Sequence, residues 1–251
     1  MVIAPECAAC GRPLDEPTAG PVCRPCWASI RRFAPPVCHA CGDPLPPEPY
    51  AAASAAGGDG PVRRCPACCR TPPLAAAARA VGPYEGRLRD IIHAFKYDRR
   101  RTLARPLAAL MRDAGRDLLD GAGAAVPVPL HWLRRRRRGF NQAARLAAGL
   151  ELPVCHALRR SRPTLAQAGL QAGARRLNVT GAFSLAWRYR WPRLWPFARR
   201  APRRLDGLVV VLVDDVSTTG ATRDACARVL LDAGVREVRV LTVARVAARP
   251  R

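Results

Sequence analysis

Residues 207–213, GLVVVLV, are a continuous apolar run that stops on two adjacent aspartates, Asp214 and Asp215. A run with no polar alternation suits a strand covered on both faces, as in a parallel sheet. Parallel neighbours are joined by crossover connections, so helical segments are expected on either side in sequence. They are there. A helix is expected over roughly 221–233, closed by Gly234 in a left-handed conformation, and REVRVLTVARV (236–246) supplies the next strand. Upstream, LAAAARAVGPYEG reads as an edge strand ending in a turn. RLRDIIHAFKY places Leu88, Ile91, Ile92 and Phe95 on one helical face, and TLARPLAALMRDAG continues with Leu103, Leu107, Leu110 and Met111. AAVPVPL is a short strand with Pro127 and Pro129 at or past its end, since proline is poorly tolerated inside a central strand. GFNQAARLAAGL forms a further amphipathic helix with Phe140, Ala144, Ala147 and Leu150 inward. The fold class is therefore α/β, a parallel sheet flanked by helices.

Ligands of such sheets bind beyond the carboxyl ends of the strands. Two carboxylates ending a buried strand are costly unless a cation or hydroxyl groups meet them. The loop that follows, VSTTGAT (216–222), opens a helix, where exposed N–H groups and the helix dipole suit a phosphate. Ser217, Thr218, Thr219 and Thr222 add hydroxyls, and Gly220 lets the backbone come close. No Gly-Lys-Ser/Thr is present, so this is not a P-loop. A phosphate and a diol on one small ligand describe ribose 5-phosphate. A capped helix with acids at its favourable end is the plainer alternative.

Nine of the eleven cysteines precede residue 70, and eight of those form four Cys-x-x-Cys pairs. Two such turns complete a tetrahedral zinc site. Sequential use assigns Cys7, Cys10, Cys23 and Cys26 to one ion, and Cys38, Cys41, Cys65 and Cys68 to another. Gly11 and Gly42 suit the tight turns. In the second site Cys69 is an alternative to Cys68, His39 is a weaker competitor, and a Pro/Ala/Gly-rich stretch separates the two halves. Cys155 and Cys226 stand alone and read as small buried hydrophobes.

The net charge is +23, and of the 42 basic residues only Lys96 is a lysine. Such a bias, with abundant alanine and proline, suggests a GC-rich coding sequence. Charge alone leaves a solvated arginine surface and a polyanion-binding surface both open. No apolar run reaches the roughly 20 residues of a membrane span, and the first residues lack a secretory pattern. A soluble, cytoplasmic protein is expected.

VVVLVDDVSTTGAT resembles the binding motif for phosphoribosyl pyrophosphate (PRPP) of type I phosphoribosyltransferases. HAFKYDRR, VPVPLHWLRRRRRGFNQAARLA, RPTLAQAGLQAGARRLNVTGAF and the cysteine pairs extend the likeness along almost the whole chain, to the ComF family. That resemblance implies a double zinc ribbon over 1–72 and a type I phosphoribosyltransferase-like domain over 75–251. It implies that Asp214 and Asp215 hold the ribose 2- and 3-hydroxyls, and that Ser217, Thr218, Thr219, Gly220, Ala221 and Thr222 cradle the 5-phosphate. Val128–Leu130 and Arg137, Arg138, Gly139, Phe140, Asn141 and Gln142 correspond to the pyrophosphate region. By the same resemblance, the segment at about 161–180, with Gln167, Gln171, Arg175 and Arg176, corresponds to a mobile loop that closes over the substrate. The implied ligands are two Zn²⁺, Mg²⁺ and PRPP, with single-stranded DNA or the DNA-uptake machinery as partners. An Arg/Trp/Pro-rich insertion at about 186–204 departs from the family pattern. Phosphoribosyl transfer to an unidentified acceptor, PRPP sensing without turnover, and DNA handling are the three functions this implies.

Overall fold

The structure, a computed structural model, describes residues 5–46, 63–98, 100–132, 136, 138–161, 181–190, 202, 204–218 and 220–246. Their strands are β1 (Ala77–Pro83), β2 (Ala124–Pro127), β3 (Leu158–Arg160), β4 (Phe183–Leu185), β5 (Val209–Ser217) and β6 (Glu237–Arg245). Four of them make one parallel sheet in the order β1-β6-β5-β2, and β3 and β4 pair antiparallel beside it. The helices are α1 (Arg24–Ala28), α2 (Pro66–Arg70), α3 (Gly86–Tyr97), α4 (Ala104–Ala114), α5 (Arg116–Leu119), α6 (Gln142–Ala147), α7 (Trp187–Arg190) and α8 (Ala221–Asp232).

Strand residues alternate between faces, and the sheet uses both. Val211 and Val213 of β5, with Leu241 and Val243 of β6, enter a core with Leu88, Ile91, Ile92 and Phe95 of α3 and Leu107 and Met111 of α4. Val210 and Leu212, with Val238 and Val240, enter a second core with Cys226, Ala227 and Leu230 of α8. Ile91, Ile92, Phe95, Leu107 and Met111 are wholly buried, each contributing roughly 1.5–3 kcal/mol of apolar transfer. The inward faces expected for α3 and α4 are the ones observed, with Leu110 half-buried. Gly234 ends α8 with φ +86°.

Two readings need correction. The helix after Phe140 is only six residues long, because Asn141 caps it and the chain turns again after Ala147. Phe140, Ala147 and Leu150 are buried as expected, but Ala144 is only half-buried, and Ala143 and Leu146 face inward instead. The β3–β4 pair was not foreseen: its strands are three residues each, too short for a period to register. The segment 162–180 that they flank, with Gln167, Gln171, Arg175 and Arg176, lies outside the described residues. Of the Arg/Trp/Pro-rich stretch, α7 is described; Tyr189 packs against the second core and Trp187 is exposed. Among the described residues no helix is long and apolar enough to cross a membrane.

The cysteine-rich segment does not hang free. Cys7, Leu14, Val22, Cys26 and Ile30 enter the first core alongside Val81 and Leu88. The chain after Ile30 then runs along the otherwise unpaired edge of β1, with Phe33 N–H donating to Val81 O at 2.9 Å and Ala78 N–H to His39 O at 3.1 Å. A Cβ on Gly82 would collide with the carbonyl oxygen of Arg31. Gly82→Ala should therefore lower stability by about 1–3 kcal/mol and speed proteolysis within residues 30–37. Thermal unfolding and limited proteolysis read both; a variant as stable and resistant as the parent would show that the edge contact contributes nothing.

Candidate ligand site and the two cysteine clusters

β5 stays between its two helical layers for longer than its apolar residues last. Alternation then delivers one carboxylate to each face. Asp215 points to the α3 side, where Lys96 Nζ lies 3.2 Å from its Oδ1, with both side chains about seven-eighths buried. The ammonium also sits over the ring of Tyr84, 5.8 Å from its centroid. Asp214 lies in register with Thr242 of β6, and its Oδ1 accepts from the Asp215 N–H at 2.9 Å. Burial first, and then the charge of Asp215, push the Asp214 carboxyl up to about 7. The Asp215 N–H and the charges of Lys96 and Arg160 act the other way.

Beyond the acids the chain turns through Gly220, φ +81°, into α8. It is this positive φ that calls for glycine; a Cβ there would also lie 2.7 Å from Arg223 Nη2, the movable end of a long side chain. Arg223 packs back over the turn, held by Asp224 Oδ1 at 3.0 Å, and its Nη1 is buried with no hydrogen-bond partner among the described residues. On the opposite wall Asn141 accepts from Ala143 N–H and donates to Val128 O at 3.1 Å, fixing the turn after β2 against the start of α6. Arg138 reaches Gln142 Oε1 and Tyr97 Oη, both at 3.3 Å, and stacks over the Tyr97 ring. Gln142 is buried, and its Nε2 also has no partner among the described residues.

These groups line one cavity of about 260 Å³ at the carboxyl end of the sheet. Asp214, Asp215, Ser217, Thr218, Gly220, Thr222 and Arg138, all singled out in the sequence, lie on its wall together. Ala221 is buried as the first residue of α8. Thr219, Arg137, Arg175 and Arg176 lie outside the described residues. Lys96, Arg160 and Arg223 line the cavity too and were not singled out as site residues. The lone lysine of an arginine-rich chain was the available signal for Lys96; Arg160 and Arg223 are two among many arginines.

The cavity pairs acceptors at its floor with buried N–H donors on its walls. Such a set can take a ligand that presents hydroxyl groups at one end and an anion at another. Two adjacent carboxylates also suit a magnesium ion, which binds through one or two such groups plus ligand oxygens.

The cysteines form two four-sulfur clusters, Cys7/Cys10/Cys23/Cys26 and Cys38/Cys41/Cys65/Cys68, each with all sulfurs within 4.8 Å of one another. Sulfur separations of 3.9 Å (Cys7–Cys26), 3.8 Å (Cys10–Cys23) and 3.7 Å (Cys41–Cys65) are far too long for disulfides. A tetrahedral ion with metal–sulfur bonds of about 2.3 Å would put its ligands ~3.8 Å apart, so the donor set fits zinc. The Arg12 backbone N–H and then its side chain pull the Cys10 thiol down to about 6, toward the thiolate a metal needs. Cys68, not Cys69, completes the second cluster, and His39 is not part of it. Cys155 and Cys226 are wholly buried.

The two clusters repeat one design that the sequence also carries, as CAACGRPL and CHACGDPL. In each the glycine has positive φ (Gly11 +72°, Gly42 +77°) and donates to the carbonyl of the first cysteine. In each the N–H of the third cysteine donates to the sulfur of the first, at 3.3 Å (Cys23 to Cys7) and 3.2 Å (Cys65 to Cys38).

Residues 136–251 match the phosphoribosyl transferase domain family. With the parallel sheet and its cavity, this makes the chain a phosphoribosyltransferase-domain protein carrying two four-cysteine clusters. Competence protein F of Haemophilus influenzae is 34% identical over 89% of this chain and 90% of its own length. The DNA utilization protein YhgH of Salmonella typhi is 31% identical over 95% and 96%. The crystal structure of orotate phosphoribosyltransferase from Aeropyrum pernix superposes over 62% of this chain and 76% of that one, at 19% identity and a TM-score of 0.32. The chain belongs to the ComF family.

An unfolded aspartate titrates near 3.8, so the folded chain holds an extra proton between there and about 7. Stability therefore falls as pH rises through that window. Asp214→Asn should raise thermal stability at about pH 8, on the order of 1–2 kcal/mol, and the gain should vanish near pH 4. Equal gains at both pH values would mean that its charge is not the cause.

Proposed function

We propose that this protein binds PRPP with Mg²⁺ at the carboxyl end of β5, and that each cysteine cluster holds a structural zinc ion. The observation that carries the first reading is the single cavity on which Asp214, Asp215, Ser217, Thr218, Gly220 and Thr222 converge with Lys96, Arg138 and Arg223. The two carboxylates accept hydrogen bonds from the ribose 2- and 3-hydroxyls. The N–H groups and hydroxyls at the start of α8 surround the 5-phosphate. Arg138 meets the pyrophosphate, and Arg137, Arg175 and Arg176, which lie outside the described residues, are assigned to the same group by the family resemblance. Magnesium, when bound, neutralises pyrophosphate charge and orients it. Transfer would break the bond from the anomeric carbon to the pyrophosphate oxygen and form one to an acceptor, with the arginines stabilising the charge that departs.

Calorimetry should detect PRPP binding in the presence of Mg²⁺. Asp214→Asn combined with Asp215→Asn removes two charged acceptors worth roughly 1.5–3 kcal/mol each, and should weaken binding more than about 100-fold. Unchanged affinity in that double variant rules the assignment out. Pyrophosphate release with candidate acceptors then separates an enzyme from a sensor that binds without turnover.

The zinc reading rests on the sulfur spacing and on the small apolar core of the second cluster, which among the described residues is Cys38, Ala40, Cys41, Leu45 and Cys68. Metal analysis should find two equivalents of zinc, falling to one in Cys68→Ser; full retention would refute the ligand set.

The names of the relatives, a competence protein and a DNA utilization protein, favour placing this activity in the uptake or use of DNA. The net charge of +23 supports a polyanion partner. Single-stranded DNA should be retarded in a gel shift that weakens steeply with salt, and absence of any shift at low salt would remove the direct-contact version of this role.

A further inference from the structure

Arg245, the last residue of β6, belongs to neither cysteine cluster nor the cavity wall, yet it touches both regions. Its Cα lies opposite Ser217 in the sheet register, and Val246 N–H donates to Ser217 O at 2.9 Å. Its guanidinium bonds Asp43 through two parallel contacts, Nε to Oδ1 and Nη2 to Oδ2, the latter at 2.9 Å. Its remaining nitrogen, Nη1, donates to Ser217 Oγ at 3.4 Å. Arg245 is 11% exposed and Asp43 19%, so water competes little for this pair. A two-point contact fixes the plane of a guanidinium. Asp43 therefore decides where Nη1 points.

Asp43 is in turn set by the second cysteine cluster. It follows Gly42 in the cluster's turn, its carbonyl accepts from Cys38 N–H at 2.7 Å, and its Oδ2 lies 3.3 Å from Cys41 Sγ. Through the backbone bond from Cys38 N–H to the Asp43 carbonyl, an unbroken chain of contacts thus runs from the turn of the second cluster through Asp43 and Arg245 to the first hydroxyl of the loop. The first cluster repeats the same turn with an exposed Arg12 where the second has Asp43, and Arg12 makes no contact with the loop among the described residues. The architecture of a zinc knuckle does not require an acid at this place. Its presence in one knuckle, aimed at the sheet, is particular to the second.

We propose that Arg245 is a positioning residue for the phosphate-binding loop, and that metal occupancy of the second cluster, acting through Asp43, sets the loop's affinity for the phosphate of PRPP. The affinity part rests on the PRPP reading above; the positioning part does not. With so small a core, the second knuckle depends on its metal to hold its turn. Loss of that metal frees Asp43, unlocks the guanidinium and leaves Ser217 without its orienting donor.

The test uses the full chain with zinc content measured first. Arg245→Lys keeps the charge but loses the fork; Asp43→Asn keeps the shape but loses the ion pair; Arg12→Ala alters the matching position of the first knuckle. Two readouts are taken: hydrogen exchange of peptides spanning residues 214–222, and the calorimetric Kd for PRPP with Mg²⁺. Arg245→Lys and Asp43→Asn, still holding two zinc ions, should exchange faster in that loop and bind PRPP at least about 10-fold more weakly. Arg12→Ala, likewise still holding two zinc ions, should match the parent in both. Unchanged loop exchange in Arg245→Lys overturns the proposal whatever the ligand, as does an equal effect from Arg12→Ala. Faster exchange in a chain whose parent form binds no PRPP upholds the positioning role and overturns the PRPP reading instead.

Discussion

The ion pair between Lys96 and Asp215 is the contact around which the carboxyl end of the sheet is arranged. β5 carries a carboxylate into each of its two layers, and only one of them receives an ammonium ion at contact distance. The other accepts a backbone N–H and feels the charges of Lys96 and Arg160, but its burial and the neighbouring Asp215 outweigh them, and its proton is correspondingly hard to remove. This unequal treatment is informative. Lysine makes a single-point contact, so an oxygen of Asp215 stays available to a ligand, whereas arginine would favour taking both. Lys96 lowers the cost of the acidic pair without using it up.

The cysteine-rich segment is built into the sheet rather than appended to it. Its first knuckle fills part of the core beneath α3, and the connection to the second covers the edge of β1. An exposed parallel edge is a pairing hazard, so this segment protects the sheet as well. The sequence repeat CxACGxPL accounts for the likeness of the knuckles, and the residue after each glycine for their difference.

Much of this was legible in residue order. The unbroken apolar run of β5 demanded cover on both faces, the periods of α3 and α4 named their buried residues, and the spacing of eight cysteines grouped them correctly. The candidate loop was legible because its chemistry is contiguous: acids, hydroxyls and glycine follow one another within nine residues, 214–222. What stayed hidden was contact across sequence. Lys96 lies on α3, Arg160 on β3 and Arg223 one turn into α8, and nothing local marks them as neighbours of Asp214. Asp43 and Arg245 are 202 residues apart, and each alone reads as a surface charge. Short elements failed for another reason: the three-residue strands β3 and β4 and the six-residue helix α6 are shorter than a pattern needs to repeat.

The scarcity of lysine has a practical corollary. Apart from the amino terminus, the chain carries one primary amine, and that amine is largely enclosed beside Asp215. Acylating or isotopic amine reagents therefore address a single internal position, and the rate at which they do so reports on the state of the cavity. The protein comes with its own spectroscopic handle, already placed where a ligand would arrive.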